Sequence, residues 1–227
     1  MLDIALSADL LQSLPGIHVG LLEISGIDNT PRPTPLDAEK RLIEQGLRQR
    51  YAGYGRRDFL ALPLMAAYDR YYNRFDKTSH VLLQLESLVL RGKSLPQVSP
   101  LVDAGFAAEL ETLVLTAAHD VDLLQPPVYM DVSRAGETFT QMNGASKVLR
   151  AGDMVMRDRQ RLVCTFIYGQ DAISPVSPLT THAVYVAYAP AGVPPEAVHA
   201  HLELIERHVR LFSPGCEVNQ LVVKPDF

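Results

Sequence analysis

The sequence predicts an α+β fold, a mixed and mainly antiparallel sheet flanked by helices, and three observations carry that expectation. Apolar residues recur at helical spacing through Leu42, Ile43 and Leu47, and again through Val81, Leu85, Leu88 and Val89, as they do where one face of a helix is buried. Beyond Gly92 the helical period gives way to short β-branched and aromatic runs, which suit strands. Those runs gather in the second half of the chain with helices before and after them, a grouping that favours α+β over a doubly wound sheet.

In order along the chain, Ile4-Ala5-Leu6 and His18 to Ile24 read as strands, broken by Pro15-Gly16 and closed by Gly26. Pro31, Pro33 and Pro35 mark a rigid extended connector. A helix is expected from Leu36 with Asp37 as its cap, running to the break at Tyr51 to Gly55. Pro63 opens a second helix through Met65, Tyr68 and Tyr72, since proline suits the first turn. Thr78 or Ser79 caps a third, which Gly92 ends. Leu113-Val114-Leu115, Val128 to Val132, Met154-Val155-Met156, Leu162 to Tyr168 and His182 to Tyr188 read as strands, with turns at Asn143-Gly144 and Ala151-Gly152-Asp153. Pro194-Pro195 opens a helix to about Phe212, and Asn219 to Val223 forms a terminal strand. No internal repeat is visible, and the whole span 1–227 is read as one domain, either a single body or two intertwined lobes.

Composition narrows the function classes. Of the 227 residues 47% are hydrophobic and 21% charged, the balance of an ordered globule. No apolar run approaches the roughly 18 residues of a membrane helix, and the start Met1-Leu2-Asp3-Ile4 lacks a secretory pattern, so a cytoplasmic protein with no membrane partner is expected. The net charge of -5 argues against non-specific nucleic-acid binding, and no DNA partner is expected. The charge is uneven, however. Residues 40 to 77 carry nine basic side chains against four acidic ones, and Tyr51, Tyr54, Tyr68, Tyr71 and Tyr72 interleave with the arginines. That mixture suits phosphate contact with base stacking, or else a solvated helical face whose tyrosines turn inward.

Generic catalytic motifs are missing. There is no Gly-x-Ser-x-Gly elbow, no Gly-x-x-x-x-Gly-Lys loop and no Gly-x-Gly-x-x-Gly fingerprint. Cys164 reads as a core thiol in a strand, whereas Cys216 follows Pro214-Gly215 in a turn and is expected nearer the surface. His199, His201, Glu203 and His208 do not reproduce a metal-binding spacing and read as a wet amphipathic face, and Asp120-Val121-Asp122 lacks the rest of a calcium loop. No metal and no cofactor are expected.

What remains is an ordered set: Arg91 to Asp103 with its Leu101-Val102-Asp103 step, then His119 and Asp122, then Arg134, Gly136 and Glu137, then Asn143-Gly144, Gly152 with Asp158, and Thr180-Thr181. In this order the motifs resemble the B-three/B-four module of the beta subunit of bacterial phenylalanyl-tRNA synthetase, a module that also occurs as free-standing proteins, from about Ile17 to Tyr188. The resemblance implies that module's architecture, a tRNA or aminoacyl-tRNA 3′ end as partner, and hydrolysis of mischarged aminoacyl-tRNA in trans.

Carried onto this chain, the resemblance implies His119 and Asp122 as catalytic residues and Asp103, Phe106, Glu137, Gly169, Gln170 and Asp171 as substrate-binding residues. The basic stretch between residues 40 and 77 supplies Arg48, Arg50, Arg56, Arg57, Arg70 and Arg74 as the RNA contacts of such a module. A histidine with an ordinary pKa of about 6.5 suits a base that orients water, with Asp120 or Asp122 fixing its tautomer and amides near Gly169 holding the oxyanion. The departures matter for chemistry. Ser99-Pro100 stands where editing enzymes have paired asparagines, Ala104-Gly105-Phe106 replaces a Thr-Asn pair, and Gln170 or Asp171 stands where a glutamate reads a tyrosine hydroxyl. The alternative is a module that keeps the fold and binds RNA or another ligand without hydrolysis.

Overall fold

A computed structural model describes residues 1–225. It is an α+β fold, as expected, built around two sheets. The first contains β2 (His18–Ser25), β3 (Leu115–Asp120), β10 (His182–Ala189) and β11 (Glu217–Lys224), in the order β11-β2-β10-β3 with every pair antiparallel. The second contains β1 (Ile4–Leu6), β4 (Val128–Val132), β7 (Met154–Arg157), β8 (Leu162–Thr165) and β9 (Gly169–Gln170), in the order β1-β4-β7-β8-β9. Only the β1–β4 pair is parallel among these. A hairpin of β5 (Thr138–Thr140) and β6 (Ser146–Val148) turns at Asn143-Gly144.

Prolines set the starts of four long helices. Pro35 begins α2 (Pro35–Arg50), Pro63 begins α4 (Pro63–Asn73), Pro100 begins α6 (Pro100–Thr112) and Pro195 begins α7 (Pro195–Phe212). A ring-fixed φ and a missing N–H cost nothing in a first turn, where that donor would have no helical partner. The shorter helices are α1 (Ala8–Ser13), α3 (Arg56–Leu60) and α5 (His80–Val89).

The helix α7 lies across the first sheet. Gly20 of β2 makes room for it, because a Cβ there would stand 2.5 Å from Val198 Cγ1. Beneath it β2 and β10 are buried on both faces, with Leu21, Leu22, Ile24, Tyr185 and Val186 fully enclosed. Each such side chain contributes about 1.5–3 kcal/mol of burial. The helix α6 packs on α7, α2, α5 and β3, so one face of α6 looks toward the gap between the two sheets.

Several local expectations are corrected. Residues 100 to 112 form a helix, not short extended runs, so Leu101-Val102-Asp103 is its first turn. Leu113 adopts φ 64 as the left-handed cap of α6, and the strand after it begins only at Leu115. The run from Leu162 leaves the sheet after Thr165. Thr34 precedes α2, and Asp37 instead accepts the Thr34 N–H from the third helical position at 2.8 Å. His201 and His208 are buried, not wet, since α6 covers their face of α7. Cys216 is buried as well, and Cys164 is a core thiol whose pKa burial raises to about 12.

Candidate functional site

Six elements converge on a cavity of about 370 Å³, within the range of small-molecule sites. Its lining from α6 is Leu101, Val102, Gly105, Phe106 and Glu109, residues that share one helical face. The helix α5 adds His80 and Gln84, four residues apart, and β3 adds Leu115 to Ala118. From β8 to β9 come Cys164, Thr165, Phe166, Gly169 and Gln170, and from β10 Tyr185 and Tyr188. Gly169 holds φ +80 at the rim, a backbone conformation that a side chain would strain.

Most polar groups in the wall are already engaged. The Tyr185 hydroxyl donates to the Leu101 carbonyl at 2.7 Å, and the Gln170 amide nitrogen donates to the Ala118 carbonyl at 2.8 Å and the Ser174 carbonyl at 3.0 Å. Glu109 differs. It is 2% exposed, its Oε1 accepts the Thr116 N–H at 2.7 Å, and its Oε2 has no partner. Burial raises its pKa to about 8, against the opposing pull of the Thr116 N–H and the Gln84 amide.

Of the residues expected in a substrate pocket, Phe106, Gly169 and Gln170 line this cavity. His119 and Asp171 sit behind it. The His119 ring is fully buried, with Nδ1 3.2 Å from Ser174 Oγ and 3.0 Å from Gln170 Nε2. Burial lowers its pKa to about 4, with Asp171 pulling the other way, so the imidazole is neutral at pH 7. Asp171 accepts from Ser174 Oγ at 2.7 Å and from Arg161 Nε at 3.0 Å. Asp120 accepts from Thr180 at 2.6 Å and from the Asp122 N–H at 3.0 Å, and the exposed Asp122 carboxylate lies 3.7 Å from His182.

The other candidates lie elsewhere. Asp103 is buried in an ion pair with Lys40 at 2.6 Å and accepts the Val98 N–H at 2.9 Å, tying the 91–99 loop to α6. Glu137 takes both oxygens to Arg157, which also bonds Asp131 at 2.9 Å. Arg50, Arg56, Arg57, Arg70 and Arg74 are exposed across α2 to α4. Arg48 is half-buried and holds the carbonyls of Leu88 and Lys93. Arg50 lies over the Tyr51 ring, Arg74 over Tyr71 and Phe75, and Arg56 pairs with Glu86. Tyr51, Tyr68, Tyr71 and Tyr72 are core residues, which removes them as stacking platforms and leaves Tyr54 exposed.

Glu109 was missed because α6 was not read as a helix, and His80 and Gln84 because nothing within the expected helix α5 shows that these positions meet a cavity. The signal was present as apolar residues at 101, 102, 105 and 106 continuing at helical spacing into a lone glutamate at 109. Among the described residues no cluster of three or more His, Cys, Asp or Glu side chains could hold a metal ion, and no helix is long and apolar enough to cross a membrane.

The chain is thus an α+β fold with a mostly apolar cavity reached from both of its larger sheets. The chain belongs to the B3/4 domain family, whose pattern it matches over residues 65–212. Among solved structures, an N-terminal fragment of the phenylalanyl-tRNA synthetase beta-subunit from Pyrococcus horikoshii aligns over 100% of this chain at 10% identity and a TM-score of 0.48. The chain spans 57% of that fragment. No curated protein matches it.

Proposed function

We propose that this chain is a tRNA-associated binding domain, whose cavity receives the aminoacyl group carried at a tRNA 3′ end and holds it without histidine-driven hydrolysis. One observation carries the reading: Phe106 of α6 and Gly169 and Gln170 of β9, which the motif resemblance assigns to a substrate pocket, line one cavity with mostly apolar walls. The exposed arginines of α2 to α4 supply phosphate contacts.

Binding rather than turnover is favoured by the placement of His119. A general base must reach the water it deprotonates, directly or through one bridging water. His119 is fully buried, is absent from the cavity lining, and is neutral with a pKa of about 4. Ser174 is no nucleophile either, being buried with its proton given to Asp171.

The test is a deacylation time course on a panel of mischarged tRNAs. Hydrolysis at the buffer rate by both the wild-type chain and His119→Ala agrees with a binding domain. Acceleration that disappears in His119→Ala would establish the hydrolase and overturn this reading.

A further inference from the structure

The interior end of the cavity is rich in acceptors and poor in donors. Glu109 Oε2 is buried with no partner, and so is Gln84 Oε1 on the neighbouring helix. Both residues line the cavity, and no lysine or arginine does. The donors nearby are committed: Thr116 N–H to Glu109 Oε1, the Gln84 amide to the Glu109 carboxyl, Tyr185 to a carbonyl, and Gln170 to two carbonyls, and none of them carries a positive charge. The Tyr188 hydroxyl, also unpartnered, can either accept or donate. The remaining wall is apolar, formed by Leu101, Val102, Phe106, Phe166 and Val176.

Buried acceptors without donors are costly, and a buried carboxylate without a cation is costlier still. Other buried carboxylates have a cation or donors to both oxygens: Asp103 pairs with Lys40, Asp131 and Glu137 pair with Arg157, and Asp153 accepts from the Tyr71 hydroxyl and the Ile167 N–H. Glu109 is the cavity's exception. A ligand that fits must bring the missing donors and positive charge together with an apolar body.

We infer that Glu109, supported by Gln84, anchors the ammonium group of an amphipathic amine, such as the free α-amino group of an aminoacyl ester, whose apolar part fills the cavity. This rests on the cavity being a ligand site but not on tRNA being the carrier. A carboxylate ligand finds no cation in this wall and leaves Glu109 in its protonated form, and an N-acylated amine lacks the charge that would draw out the carboxylate, whereas an ammonium group binds with release of the Glu109 proton to solvent. The raised pKa of the empty site fits a carboxyl group that has no cation of its own.

The experiment uses three probes with one apolar body: phenethylamine, 2-phenylethanol and 3-phenylpropionate. Each is titrated into the full chain at pH 7.5, with binding followed through protein NMR shifts, for the wild type and Glu109→Gln. The amide keeps an acceptor for the Thr116 N–H, and the alcohol titration reports an intact cavity in the variant. Phenethylamine should bind the wild type at least about tenfold tighter than the alcohol, with the propionate weakest, and E109Q should erase that advantage while leaving the alcohol unchanged. Equal amine affinity in both proteins, alcohol binding as tight as amine binding, or no probe binding to the wild type overturns the assignment. A parallel tRNA filter-binding assay separates the two readings, because tRNA binding that survives any of those results leaves only the Glu109 assignment refuted.

Discussion

His119 Nδ1 lies 3.2 Å from the Ser174 hydroxyl, which in turn gives its proton to Asp171 across 2.7 Å. The three side chains fasten β3 to the 171–176 loop, with the cavity on the other side of Gln170. This is structural work, and it predicts the behaviour of the histidine. The His119 ring should show no protonation from pH 8 down to pH 5 in an NMR titration, since burial holds its pKa at about 4. Ser174→Ala should cost about 1–3 kcal/mol in a urea melt by removing a partner of buried polar groups.

Acid should destabilise the fold through the buried histidines. Burial lowers His201 to about 3, with the nearby His208 adding to the effect, and lowers His119 to about 4, whereas an unfolded histidine titrates near 6.5. The unfolded state therefore binds more protons between these values. Stability is fully present above about pH 6.5 and falls as pH drops toward 4 and 3, by up to about 1.4 kcal/mol per pH unit for each ring. His201→Gln should flatten that slope by one group, as read from urea midpoints between pH 7 and 4.

Glu109 works in the opposite direction. Its folded pKa of about 8 stands above the ordinary 4.5, so its contribution is fully present below pH 4.5 and is lost as pH rises through 8. The melting temperature of E109Q minus that of the wild type should therefore increase steadily from pH 4.5 to 8. A difference that stays flat would mean that the carboxyl group is solvated.

Arg157 joins Asp131 and Glu137 under β4 and β7, with only 11% of its side chain exposed. Removing one partner of a buried ion pair strands the others, so Arg157→Met should cost about 3 kcal/mol or more. The measurement is the urea midpoint of the full chain, and it should move without altering the affinity of any ligand that the remote cavity takes.

Much of the fold was legible because local signals agreed with the tertiary structure. Prolines at 63 and 195 marked helix starts, and the alternation from His182 to Tyr188 marked the central strand β10. The helix α6 escaped because neighbours on several sides bury it nearly all round and leave no amphipathic stripe, and because Gly105 interrupts it. The site was half legible. Motif order pointed to Phe106, Gly169 and Gln170, but the burial of His119 and the isolation of Glu109 depend on how β3, α6 and the 171–176 loop meet. His201 and His208 were misread for the same reason, since nothing within α7 announces that α6 will cover their face.

Gly105 gives a way to close the cavity. A Cβ there would meet Tyr185 Cε1 at 3.5 Å, an ordinary contact, so Gly105→Ala should fold and gain up to about 1 kcal/mol of helix propensity. Gly105→Leu should project into the cavity and reduce the binding of anything the cavity holds, with nucleic-acid contact on α2 to α4 preserved. Calorimetric melts of both variants check folding before any binding is compared.

The most direct measurement is a filter-binding titration of one tRNA in its aminoacylated and deacylated forms across a salt series. If the cavity holds the aminoacyl group, the charged form binds about tenfold tighter, a difference of roughly 1.4 kcal/mol. Both affinities should fall as salt rises through loss of the phosphate contacts, and G105L should abolish the preference without abolishing binding. Equal affinity for the two forms, or a preference that survives G105L, would contradict the proposal.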